Sequence, residues 1–146
     1  MLSSQLPIFK AAILADANLV VQRAAGDQGA IAAYYNANGS GSIWKPAISA
    51  AQLNTAIVWS EFILGTPAVQ NGYFALLQGD PIDATNANIR AGFASIFAGA
   101  TVSLANLTAL AARTPTRFEA LFTTANVCSC FGQLVTPADV AQALGS

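Results

Sequence analysis

Residues 88–122 read NIRAGFASIFAGATVSLANLTALAARTPTRFEALF, and the reading of this stretch decides the fold class. Ile89, Phe93, Ile96 and Phe97 recur at i, i+4, i+7 and i+8, the apolar stripe of an amphipathic helix. Gly99 stands where a left-handed C-cap belongs, because a residue without Cβ reaches positive φ cheaply. Ser103 is placed to cap a second helix, whose Leu104, Leu107, Leu110 and Ala111 share a face. Thr114-Pro115 then either kinks a long helix or starts a new one. Thr116, three residues before Glu119, is a capping-box pattern and favours the new start, which carries Phe118, Leu121 and Phe122.

No charge occurs between Arg90 and Arg113. A run of that length suffices to span a bilayer, which takes about 20 residues. Gly99, Thr101, Ser103, Asn106 and Thr108 interrupt it, so it reads as two helices and a turn. A membrane-spanning helix is not expected. Lys10 and Asp16 bracket a very short apolar run at the start, so no signal peptide is expected either.

The whole chain shares this scarcity of charge. Of its 146 residues, 54% are hydrophobic and 9% charged, against roughly 25% charged in an average soluble domain. Its surface must therefore be built from Ala, Gly, Ser, Thr, Asn and Gln, which repel neighbours weakly. Two readings fit: a subunit that works against other protein subunits, and a soluble monomer with an Ala-rich polar surface. Six Lys and Arg, spread from Lys10 to Arg117, form no basic stripe, so sequence-specific nucleic-acid binding is not expected. The chain has no histidine, the commonest general acid/base and transition-metal ligand.

Outward toward the N-terminus, Ser3 or Ser4 is placed to cap a first helix with Pro7 in its opening turn and Leu6, Phe9, Ile13 and Leu14 on its apolar face. Asp16 opens the next helix, which Gly26 ends, and Asp27 caps a third with Ile31, Tyr34 and Tyr35. These three short helices read as a compact N-terminal unit. NANGSGS (36–42) is the clearest break, followed by an extended Ile43-Trp44-Lys45-Pro46. Ser49 with Gln52 forms a capping box for a helix carrying Leu53, Ile57, Phe62 and Leu64 up to Gly65. Thr66-Pro67 restarts helix, giving Val69, Tyr73, Phe74 and Leu77. Asp80-Pro81 is a turn. Residues 123–135 lack a helical period and read as a loop or short hairpin. Thr136, Pro137 and Asp139 open a last helix bearing Val140 and Leu144. The expected fold is all-α: a single helical domain, 1–146, formed as a compact bundle of about six to eight short helices with irregular arms at 36–48 and 123–135.

Motifs for chemistry are sparse. Cys128 and Cys130 cannot complete a tetrahedral zinc site without a further cysteine or histidine. They read as buried thiols or, in an assembled particle, as an inter-subunit disulfide. No Ser-His or Cys-His pair exists, and Asp80 and Asp83 fit a helix-preceding turn better than a catalytic pair. Neither catalytic residues, cofactor nor metal is expected. Arg113 and Arg117 lie four apart with Glu119 nearby: a solvated face, or inter-subunit ion pairs in a chain with few acids. Trp44 reads as a core-edge residue or as an interface anchor on an arm that Gly39 and Gly41 leave free to adapt. Trp59 reads as core or core edge.

Arg90-x-Gly92, the aromatic helix ending in Phe97-Ala98-Gly99, Arg113, and Arg117-x-Glu119-x-Leu121-Phe122 together resemble small virion structural proteins of tailed bacteriophages. Residues 10–37, KAAILADANLVVQRAAGDQGAIAAYYNA, are similar to the N-terminal helices of such proteins, and Trp44 falls where they carry a tryptophan-containing arm. Pro115 interrupts what is a continuous basic helix in similar proteins, and the cysteines lie outside their pattern. The resemblance implies a non-enzymatic virion component of the head-to-tail region, an adaptor or completion protein. It would assemble with copies of itself in a ring and with portal, tail or capsid proteins, after residence in the host cytoplasm. Trp44, Arg90, Arg113, Arg117, Glu119, Cys128 and Cys130 are the expected interface residues. Capsid decoration or tail association is the alternative within that class, and a small membrane-active helical protein is the rival outside it.

Overall fold

A computed structural model describes residues 1–145. The chain is predominantly helical, 59% by residue. The elements run in order α1 (Leu6–Ala15), α2 (Val20–Ala25), α3 (Gln28–Asn36), β1 (Ile43–Trp44), α4 (Ala50–Ala56), α5 (Trp59–Phe62), α6 (Pro67–Leu77), α7 (Ala87–Ile96), α8 (Thr101–Ala111), β2 (Ala112–Arg113), α9 (Arg117–Leu121), β3 (Thr123–Thr124), β4 (Val127–Cys128) and α10 (Pro137–Gly145). The all-α expectation therefore holds only in its coarser form. Among the described residues ten α-helices replace the expected six to eight, and both irregular arms contribute short antiparallel strands. Two compact units result, one of residues 1–42 with the chain from Thr114 onward, the other Ile43–Arg113.

In the first unit, α1 packs on α9 and α10, and α3 packs on the same two helices. Two of the three N-terminal helices, α1 and α3, thus share their core with the C-terminal ones. Phe9 lies at its centre, edge-on to Tyr35 at 4.9 Å and to Phe118 at 5.1 Å. Local signals place most of the helix ends. Asp16 and Asp27 accept backbone N–H groups from Asn18 and Ala30, and Gly26 takes the left-handed C-cap at φ +65°. Thr116 and Glu119 complete their capping box, so Pro115 precedes a new helix. Two expectations fail. Gln5, not Ser3 or Ser4, precedes α1, and its side chain accepts Leu2 N–H instead of capping the helix. Leu14 faces outward, 55% exposed, because the α1 interface is filled by Leu6, Phe9 and Ile13.

The second unit is built round Phe62, Tyr73, Phe93 and Phe97, with Ile48, Leu53, Ile57, Ile82 and Leu107 closing the core. The α6–α7 contact is close. A Cβ on Gly72 would meet Ile96 Cδ1 at 3.4 Å, and one on Gly92 would meet Leu76 Cδ1 at 3.5 Å. Ser49–Gln52 and Thr66-Pro67 start α4 and α6 as expected. The helix expected to run to Gly65 stops at Ala56, since Ile57 is extended and Val58 N–H turns to Ser103 Oγ at 3.0 Å. Asn106 Nδ2 donates to the Ala56 carbonyl that this break exposes. Gly99 is not a left-handed cap: Phe97 ends α7, and Ala100 N–H closes the turn on the Phe97 carbonyl. The uncharged run is split into helices of 10 and 11 residues. Among the described residues no helix is long and apolar enough to cross a membrane.

Candidate interaction surface

Trp44 lies in β1, which pairs antiparallel with β2 in the register Ile43↔Arg113 and Trp44↔Ala112. The residue is half-buried against the core of its unit. Lys45 extends the attachment, its backbone N–H donating to Ala111 O at 2.8 Å and its Nζ to Leu110 O at 2.6 Å. A cation at the C-terminal carbonyls of α8 is favourably placed against the helix dipole. The preceding segment is not free to adapt either. Gly39 N–H donates to Pro115 O at 2.9 Å, and a Cβ there would come within 3.2 Å of the Thr116 carbonyl oxygen. Glycine at position 39 therefore serves close packing rather than mobility.

Two of the expected charged residues, Arg90 and Arg117, are held in separate local settings. The Arg90 guanidinium lies over the Trp44 ring, 4.8 Å from its centroid, and its Nη1 donates to the carbonyls of Ala84 and Thr85 at 2.6 and 2.8 Å. Arg117 lies over Tyr34 at 4.2 Å and donates to the Tyr34 carbonyl at 3.0 Å. Both arginines thus act as aromatic-stacked donors to backbone oxygen. Arg113 and Arg117 do not share a helix, because β2 and Pro115 intervene. Glu119 is fully buried: Oε2 accepts Thr116 N–H at 2.8 Å and Oε1 accepts Gly132 N–H at 2.6 Å. It thereby ties the 123–135 segment to α9.

That segment forms the β3–β4 hairpin, turned by Ala125 and Asn126, both at positive φ. Cys128, which ends β4, and Cys130, two residues on, are free, buried thiols with Sγ atoms 3.3 Å apart. Burial, then the neighbouring Cys128, push the Cys130 thiol up to about 12, so it is protonated and a poor nucleophile at neutral pH.

Sequence reasoning missed the largest apolar exposure of the second unit. Ile63 and Leu64, directly after α5, are 67% and 85% exposed, and Trp59 and Phe74 are about half exposed. Trp59 and Phe74 are edge-on to buried Phe62 at 5.4 and 5.9 Å, and Phe62 continues to Tyr73 at 5.2 Å. The aromatic core of this unit thus reaches the surface at α5 and α6. Leu64 and Phe74, expected inside, are on that surface because Phe62 and Tyr73 already fill the core on this side. The consecutive Ile63-Leu64 pair ahead of Gly65 carries no local signal of its exposure. Glu61, on the same helix as Trp59, accepts from Val102 N–H, Ser103 N–H and Ser103 Oγ. These bonds, the Ser103 hydroxyl first, hold its carboxyl below the usual glutamate range. The carboxylate is occupied as a helix cap, so the surface offers apolar contact rather than charge.

Comparison with protein-family models, curated proteins and solved structures returns no match.

Proposed function

We propose that this chain is a non-enzymatic structural protein of the bacteriophage virion, a ring-forming adaptor or completion subunit between head and tail. The observation that carries the assembly reading is the apolar face of Trp59, Ile63, Leu64 and Phe74, exposed on a chain with only 9% charged residues. Exposed apolar patches on small proteins mark interaction sites, and few ions need desolvation when such a surface docks. The resemblance of residues 10–37 and 88–122 to small virion proteins supports the placement in a phage particle. Partners are further copies of the chain and the portal, tail or capsid proteins of the same particle.

Mass spectrometry and a reconstruction of purified virions test this reading. The expected result is the chain in a closed ring near the neck, with Trp59, Ile63 and Leu64 against a neighbour. Its absence from the particle, or its presence with this face open to solvent, overturns it.

A further inference from the structure

The second unit forms a cavity of about 280 Å³, partly open to solvent and lined by apolar side chains that include Trp44, Ile82, Phe93, Leu104 and Leu107. An apolar cavity of about 150 Å³ already accommodates a benzene ring. The space here therefore suits an apolar group of roughly six to ten carbons, by the same measure. Arg90 also lines it and is the only charged residue that does.

The setting of Arg90 gives the ligand its other end. Stacking on Trp44 and two carbonyl bonds through Nη1 fix the guanidinium. Nε and Nη2 make no hydrogen bond within the described residues, and no carboxylate pairs with the group there. A fixed guanidinium with free N–H groups matches a carboxylate in forked geometry. One guanidinium balances one negative charge, which favours a carboxylate over a phosphate carrying nearly two.

We propose that this cavity binds small amphipathic carboxylates, with the apolar tail among Phe93, Leu104 and Leu107 and the carboxylate on Arg90. The site lies wholly within residues 43–113, so it stands apart from the assembly reading: occupancy neither requires a ring nor excludes one.

Calorimetric titration of the full chain with octanoate and, separately, 1-octanol tests the proposal. Octanoate is expected to bind one per chain, and octanol at least about tenfold more weakly, the low end of what a hydrogen bond to a charged group contributes. Arg90→Gln should remove that preference, and Ala111→Phe, which fills the cavity, should remove binding of both, with circular dichroism unchanged. Equal affinity for the two compounds, no binding of octanoate to the wild type, or a preference that survives in folded Arg90→Gln overturns it. The comparison of the two compounds on the wild-type chain decides the matter even where a variant does not fold.

Discussion

Glu61 Oε2 accepts both the hydroxyl and the backbone N–H of Ser103, at 2.7 and 2.8 Å, across 42 positions of sequence. Oε1 takes Val102 N–H at 3.2 Å, so a carboxylate from α5 caps the N-terminus of α8. An anion here satisfies otherwise unpaired N–H groups and faces the positive end of the helix dipole. Ser103 Oγ, still able to accept, takes Val58 N–H at 3.0 Å. One acid and one hydroxyl thereby fix the start of α8 and the break between α4 and α5.

The Glu61 carboxyl titrates below its ordinary value of 4.5, the Ser103 hydroxyl being the first cause. A depressed folded-state value means that the carboxylate stabilises the fold above the unfolded value, and that this stability is lost as pH falls through the folded one. Glu61→Gln should therefore melt below wild type at pH 7, with the gap closing as pH drops below 4.5. Thermal melts across that range check it. A gap that stays constant, or widens in acid, would contradict the capping role.

Removing the hydroxyl has a different consequence. Ser103 is fully buried, and Ser103→Ala leaves Val58 N–H without its acceptor. The expected loss is about 0.5–1.5 kcal/mol, the net contribution of a hydrogen bond, at a donor that is partly buried. Chemical denaturation measures it, and a loss under about 0.5 kcal/mol, typical of a neutral surface change, would mean the bond is dispensable.

Phe97 is 1% exposed and stacks nearly parallel to Phe93 at 6.4 Å, in the stripe from which the fold class was read. Phe97→Ala should cost about 3–5 kcal/mol as a core truncation, and Phe93→Ala a similar amount. Melting of both variants within a degree or two of wild type would show that these rings are not core.

Which features were legible follows from how local their causes are. The boxes at Ser49–Gln52 and Thr116–Glu119 and the Gly26 C-cap involve partners within four residues, so sequence spacing reveals them. The cap of α8 was assigned to Ser103 because its true donor of charge, Glu61, lies on another helix. Helical period placed Leu14, Leu64 and Phe74 on apolar faces, but only packing decides which part of a face another element covers. Trp44 and Arg90 were singled out separately, and their stacking depends on β1 and α7 meeting in space. The α5–α6 surface escaped notice because nothing local distinguishes an exposed Ile63-Leu64 pair from a buried one.

The cysteines give an alkaline counterpart to Glu61. Cys130 is pushed from its ordinary 9.0 up to about 12, chiefly by burial. Above pH 9.0 the unfolded chain loses this proton before the folded one does, so its contribution to stability is complete below that pH and declines as pH rises. Cys130→Ala should flatten this decline. At neutral pH, a disulfide-exchange dye should label the folded chain far more slowly than the urea-unfolded chain, since both thiols are buried. Equal labelling rates would place the thiols at the surface.

The assembly reading makes the sharpest demand on α5 and its exit. Leu64 is 85% exposed, so Leu64→Asp removes no core contact and should change monomer stability by no more than about 0.5 kcal/mol. In a subunit interface the same carboxylate would be desolvated against apolar surface, which is costly without a partner charge. Leu64→Asp should therefore abolish self-association while leaving the monomer folded and its own stability unchanged. Trp59→Ala should weaken association by about 2 kcal/mol or more, as a truncated aromatic anchor does. Phe97→Ala serves as the contrasting control, because its ring is 1% exposed and its loss acts through core stability rather than through exposed area. Sedimentation equilibrium of the wild type and variants separates the effects. An oligomer that survives Leu64→Asp unchanged, or a wild type that remains monomeric at the concentrations of particle assembly, removes the α5–α6 face as the ring contact.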